Sequence, residues 1–174
     1  MKIPLVLLFA TVLLASKSYY QDDRTVYQVG NTGCSAYFSC RPNPAEWSYS
    51  PDSSKVYTME CTGQDGITYS LIAVDLLVEL SGEDVEAVLS SYMDFLKTEI
   101  NITSSLGYHK GYNLPAHPSA TVITDTWTDA DSEISVLGCS NGKIIAVLLI
   151  FNKKTSVQTV NADLYFNGFR FPGD

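Results

Sequence analysis

Five consecutive residues, Gly138-Cys139-Ser140-Asn141-Gly142, spell G-x-S-x-G, the pattern of a serine nucleophile on a strand-to-helix elbow. That chemistry needs a helix after the serine and a histidine later in the chain. Here an apolar strand-like run follows, Lys143–Phe151, and both histidines, His109 and His117, come before Ser140. An Asn-Gly hairpin turn accounts for the same residues. A cysteine–histidine nucleophile from Cys139 and His109 or His117 would need a thiolate, which an oxidising compartment disfavours. His109 and His117 lie in YHKGYNLPAHP and could hold zinc with a nearby carboxylate, but their spacing of eight fits no compact helical or strand pair. Asp129, Asp131 and Glu133 alternate like the start of a calcium loop, with Asp125 nearby. The sixth and twelfth positions are Ile134 and Ser140 instead of Gly and Glu, so the EF-hand pattern is absent. No residue is assigned as catalytic, cofactor-binding or metal-binding, and no cofactor is expected. A metal-dependent or hydrolytic site around His109, His117 and the 125–133 acidic turn is the alternative to a non-enzymatic domain.

The cysteines carry more weight. Met1-Lys2 precedes an uncharged apolar stretch, Ile3–Ala15, with small residues beyond it, the layout of a secretory signal peptide over 1–18. That stretch falls short of the roughly 20 residues a membrane-spanning helix needs. The expectation is a secreted, extracellular or periplasmic protein with no stable membrane anchor after cleavage. Four cysteines, Cys34, Cys40, Cys61 and Cys139, then suggest two disulfides. Four cysteines allow three connectivities, which sequence does not choose among, and some can instead be buried thiols. If the first two strands pair across the 42–54 loop, Cys34 comes to Cys61 and Cys40 is left for Cys139. Asn101-Ile102-Thr103 is an N-glycosylation sequon, so Asn101 is a candidate for modification in a eukaryotic secretory route.

The net charge is −8, and becomes −9 or −10 once the leader with Lys2, or Lys2 and Lys17, is removed. Such a surface repels phosphate backbones and anionic headgroups, which argues against nucleic acid and lipid surfaces as partners. Eleven tyrosines offer contact groups for an unidentified protein or small ligand. Tyr19, Tyr20, Tyr108 and Tyr112 fall in segments expected to be exposed.

These residues must be positioned by a regular framework. Residues 19–33 read as a mobile lead-in and 34–174 as one domain. Strands are expected at Ser35–Arg41, Lys55–Thr62 and Ile67–Leu76, the last two joined by a turn ending in Asp65-Gly66. Residues 42–54, rich in Pro and Ser, read as a loop. Val85, Val88, Leu89, Tyr92, Met93, Leu96 and Ile100 recur at helical spacing, predicting a helix over 82–99 capped by Ser81. A strand at Ala120–Trp127 follows, then a hairpin of Glu133–Cys139 and Lys143–Phe151 about Asn141-Gly142. The arm IIAVLLIF is apolar at every position, so it belongs in mid-sheet, covered on both faces. A second helix starting at Thr155 or Ser156 would turn Val157, Val160 and Leu164 inward. The expected fold class is α+β, an antiparallel sheet with helices on both faces.

With those elements placed, the chain resembles the PsbP-like family, which includes an extrinsic photosystem subunit and a fungal nuclear-import factor. The resemblance lies in YFSCRPNP, the helical VLSSYMDFLK, the hairpin SEISVLGCSNGKIIAVLLIF and the ending LYFNGFRF, within residues 35–171. It implies a three-layer α/β/α sandwich. These are packing features, so it transfers no functional residue.

Overall fold

A computed structural model describes residues 25–155 and 162–173. The expected signal peptide, Tyr19, Tyr20, Val157 and Val160 lie outside the described residues. The elements run β1 (Val26–Gln28), β2 (Ser35–Tyr37), β3 (Glu46–Tyr49), β4 (Lys55–Thr62), β5 (Thr68–Asp75), α1 (Glu83–Glu99), β6 (Ser104–Ser105), β7 (His109–Lys110), β8 (Thr121–Thr128), β9 (Ser132–Ser140), β10 (Ile144–Lys153) and α2 (Ala162–Phe166). One eight-stranded antiparallel sheet has the order β3-β4-β5-β10-β9-β8-β6, with β7 also pairing β8. β1 and β2 form a separate hairpin, so the expected lead-in is strand from Val26, and Val29 is fully buried.

β10 is the central strand, as its composition demands. Ile144, Ala146, Leu148 and Ile150 enter one core and Ile145, Val147 and Leu149 the other. α1 covers the second face, burying Val85, Leu89, Met93 and Leu96. It settles over β8 and β9 because β9 has no side chain at Gly138. A Cβ there would lie 2.6 Å from Met93 Sδ and 3.2 Å from Leu89 Cδ1.

The expected three-layer sandwich is not what forms. The face opposite α1 is covered by the β1–β2 hairpin, the five-residue α2 and the ends of loops, led by Phe38, Tyr165, Phe166, Phe169 and Phe171. A doubly apolar strand demands cover on both faces but does not dictate the cover's secondary structure. Bulky aromatic rings on short segments fill the space here, several of them edge to face. α1 also stops short of the far strands. β4 buries Tyr57, Met59 and Cys61 on one face and exposes Thr58, Glu60 and Thr62 on the other. The described residues are mostly antiparallel sheet, with one full-length helix among them.

Four local expectations also change. β2 pairs with β1 and not β4. The flank of β4 is taken by β3, inside the segment read as a loop, and the Asn43 N–H donates to Glu60 O at 2.9 Å. That register sets Cys40 beside Cys61, and these two are the bonded pair, with Cα atoms 5.9 Å apart. The expected Cys34–Cys61 and Cys40–Cys139 pairings are therefore wrong, and Cys34 and Cys139 stand as buried thiols. Ser81 does not cap α1. The N-cap is Gly82 at φ 60°, without a side-chain cap, because the chain arrives anchored by Leu80 N–H on Gly142 O at 2.8 Å. The β9–β10 turn centres on Gly142-Lys143. Gly142 takes φ 92°, while Asn141 supplies its carboxamide oxygen to Lys143 and Ile144 N–H at 3.1 and 2.8 Å. The β4–β5 hairpin forms as expected, with Gly66 at φ 78°.

Candidate functional site

Because α1 sits over β8 and β9, one flank of the helix overhangs β5 and β10 without filling the space beneath. Val88, Tyr92 and Phe95 from α1, Val74, Leu76 and Ile145 from the sheet side, and the turn Ser50–Asp52 enclose a groove of about 280 Å³. The lining is almost wholly aliphatic and aromatic. Phe95 is 51% exposed, and directly beyond Leu76 in the chain Leu77 and Val78 are 65% and 72% exposed. Scattered apolar residues need no explanation, but several at the mouth of one apolar groove do.

The polar part of the rim is built by the β3–β4 turn. Ser53 takes φ 68°, and its N–H donates to Ser50 O at 2.8 Å. Asp52 accepts from the Ser50 hydroxyl, from Ser54 N–H at 3.2 Å and from Ser54 Oγ at 3.0 Å. Those bonds, the Ser50 hydroxyl foremost, hold the Asp52 carboxyl below its ordinary pKa, so the rim carries a fixed negative charge. Across the groove, burial pushes the Tyr92 phenol up to about 12, so it keeps its proton. A groove of this size lies at or below the lower end of ligand pockets, roughly 300–1,000 Å³. It fits one or two side chains better than a large cofactor.

The residues that could do chemistry are dispersed. His117 is buried, accepts Phe171 N–H on Nε2 at 3.1 Å, and stacks edge to face on the Phe171 ring at 4.8 Å. His109 lies exposed on β7, paired with Thr124. Asp129 closes its own turn, accepting from Asp131 and Ser132 N–H at 2.7 and 2.6 Å. His117 precedes β8 and the Asp129–Glu133 turn follows it. Eight extended residues at about 3.3 Å each separate them by roughly 25 Å. Among the described residues no group of three His, Cys, Asp or Glu side chains is placed to share a metal ion. Ser140 ends β9 almost fully buried, its hydroxyl accepting Gly142 N–H at 3.1 Å, so G-x-S-x-G is a turn. Burial raises the Cys139 thiol well above its ordinary pKa, the opposite of an activated nucleophile.

Asp125 forms a second polar cluster at the C-terminal end of α1. Its side chain is fully buried and 3.3 Å from Lys97. It accepts from Ser105 Oγ at 2.6 Å, Trp127 Nε1 at 2.7 Å, Thr126 N–H at 2.7 Å and Gly107 N–H at 3.0 Å. Burial pushes its pKa up, yet these bonds outweigh burial and the net shift is downward. Lys97 Nζ also lies 4.0 Å from the centre of the Tyr108 ring. Tyr108 in turn donates to Asp94 at 2.5 Å and Ser90 O at 3.2 Å. Every group here already has a partner, so the cluster is a clamp joining α1 to the β6–β8 segment.

Of the tyrosines expected to be exposed for contacts, the two among the described residues, Tyr108 and Tyr112, are occupied. Tyr108 belongs to the clamp, and Tyr112 donates to Asn167 Oδ1 at 3.2 Å. Sequence reasoning missed Trp47 and Tyr49, both exposed on the edge strand β3, and Phe95. The alternation Trp47-Ser48-Tyr49 was the available signal for β3. Trp47 pairs with Tyr57, whose side chain enters the aromatic core, so these rings lie on the opposite sheet face from the groove. Asn101 is exposed just past α1 at φ 56°.

Comparison with protein-family models, with curated proteins and with solved structures returns no match. No helix among the described residues is long and apolar enough to cross a membrane.

Proposed function

We propose that this is a non-enzymatic binding domain working outside the cytosol, and that its ligand is an apolar side chain followed by a basic one on a protein partner. The observation that carries this is the α1 groove: an apolar trough of one or two side chains' volume with an ionised Asp52 at its rim. An apolar anchor gains by leaving water, about 25 cal/mol per Å² buried, and a neighbouring Lys or Arg would meet the carboxylate. The net charge of −8 likewise favours a basic partner. Secretion is supported by the Lys2-plus-apolar leader and by the Cys40–Cys61 disulfide. Kinship with PsbP-like proteins is proposed on the quoted segments alone and contributes nothing to the ligand.

Selection from a random-peptide display library on the immobilised chain tests this, with counter-selection on a Phe95→Asp variant. Phe95 is half exposed, so that variant keeps its core. The expected peptides pair Leu, Ile or Phe with an adjacent Lys or Arg, and lose binding to Phe95→Asp and to Asp52→Asn. Peptides that are acidic, or that bind Phe95→Asp equally well, would refute the assignment.

A further inference from the structure

Cys34 and Cys139 are both fully buried, in the same aromatic-covered core. Both belong to one core cluster, and a run of backbone and side-chain contacts links their neighbourhoods. Ser35, next to Cys34, pairs with Arg170, through N–H···O bonds of 3.1 and 2.8 Å. Phe171, next to Arg170, donates to His117, and His117 O accepts Ala120 N–H at 3.0 Å. Two residues on, Val122 stands opposite Cys139 in the β8–β9 ladder. Pro172 closes over Gly33 on the same side, within 3.1 Å of where a Cβ would sit. The thiols sense each other as well: the Cys34 charge adds to burial in raising the Cys139 pKa.

Cys40 and Cys61 are already joined, so the only intramolecular disulfide open to either remaining cysteine is with the other. We propose that Cys34 and Cys139 form a second, buried disulfide, closed while the chain folds. Timing follows from burial, since an oxidant cannot reach either sulfur once the aromatic layer has docked. The oxidant is a small disulfide such as oxidised glutathione. The thiolate of one cysteine attacks it and releases one glutathione thiol. The second cysteine, deprotonated, displaces the other glutathione from the mixed disulfide. Two S–H bonds are lost and one S–S bond forms, and the two electrons and two protons leave on two molecules of reduced glutathione. The bridge would tie the N-terminal segment before β2 to the centre of the main sheet. This inference is independent of the groove.

Oxidative refolding of the full chain tests it. The chain is unfolded in denaturant with reductant and refolded in mixed reduced and oxidised glutathione. Remaining thiols are then blocked with N-ethylmaleimide in denaturant, and the intact mass and a digest are read. The same blocking applied to chain recovered from an oxidising secretory host gives the answer without refolding. The expected result is no maleimide on any of the four cysteines, with peptides joined Cys34–Cys139 and Cys40–Cys61. Maleimide or glutathione on Cys34 and Cys139, or any other pairing of them, would overturn the proposal.

Discussion

The underside of α1 meets the sheet in two ways. At its C-terminal end Lys97, Asp125, Trp127 and Tyr108 form a polar cluster in which every donor and acceptor is matched. Along its flank Val88, Tyr92 and Phe95 hang over Val74, Leu76 and Ile145 with space left between them. The first region stores stability and has nothing left to offer a partner. The second costs the fold little and leaves apolar surface in water. The difference separates a clamp marked by burial and hydrogen bonding from the proposed binding face, marked by unfilled apolar volume beside a charge.

Substitutions can break this contrast, and the largest effect belongs in the clamp. Asp125→Ala strands the Trp127 and Ser105 donors and removes the buried acidic partner of Lys97, leaving it Asp94 at 3.3 Å. Denaturant unfolding is expected to show a loss of about 4 kcal/mol, as for breaking a buried ion pair. Separating Cys40 from Cys61 by the double change to Ala should cost about 3 kcal/mol in the same assay, from the chain closed over a separation of 21 residues. Gly138→Ala pushes a methyl into Met93, whose sulfur is flexible, and should cost about 2 kcal/mol by overpacking. The smallest change in stability, within about 0.5 kcal/mol, is expected for Phe95→Asp, the variant predicted to abolish peptide binding.

Acid sharpens the contrast further. The folded pKa of Asp125 lies below its unfolded value, so its contribution is complete above the unfolded pKa, about 4, and disappears as pH falls through the folded value. The stability gap between the natural chain and Asp125→Asn should therefore be widest near neutrality and close below about pH 4. Urea midpoints measured across that range check it.

Much of the scaffold was legible because periodicity reports burial directly. The α1 stripe, the β4–β5 hairpin and the doubly apolar β10 all follow from alternation or helical spacing. The cover over the second face was not legible, since Phe38, Phe169 and Phe171 show that something packs there without showing in what backbone form. β3 was hidden by its four-residue length between Pro44 and Pro51, and missing it misplaced the cysteine pairing. Two of the groove's lining residues, Val88 and Tyr92, were in the stripe, but as expected core. Its emptiness depends on where α1 sits, and that is set by Gly138, read first as part of a nucleophile motif. A glycine inside a strand marks a close approach, and that signal was present. His117 and the Asp129–Glu133 turn looked related in sequence because nothing in spacing reveals that β8 holds them at opposite ends, while His109 pairs with Thr124 in mid-strand.

The most direct test of the binding face is a shift map. The selected apolar-basic peptide is titrated onto the isotope-labelled chain and backbone amide and methyl resonances are followed. Perturbations concentrated at Val74, Val88, Tyr92, Phe95 and Ile145 are the predicted result. Perturbations centred on Trp47 and Tyr49, leaving the groove unchanged, would contradict it and move the binding surface to the β3 edge.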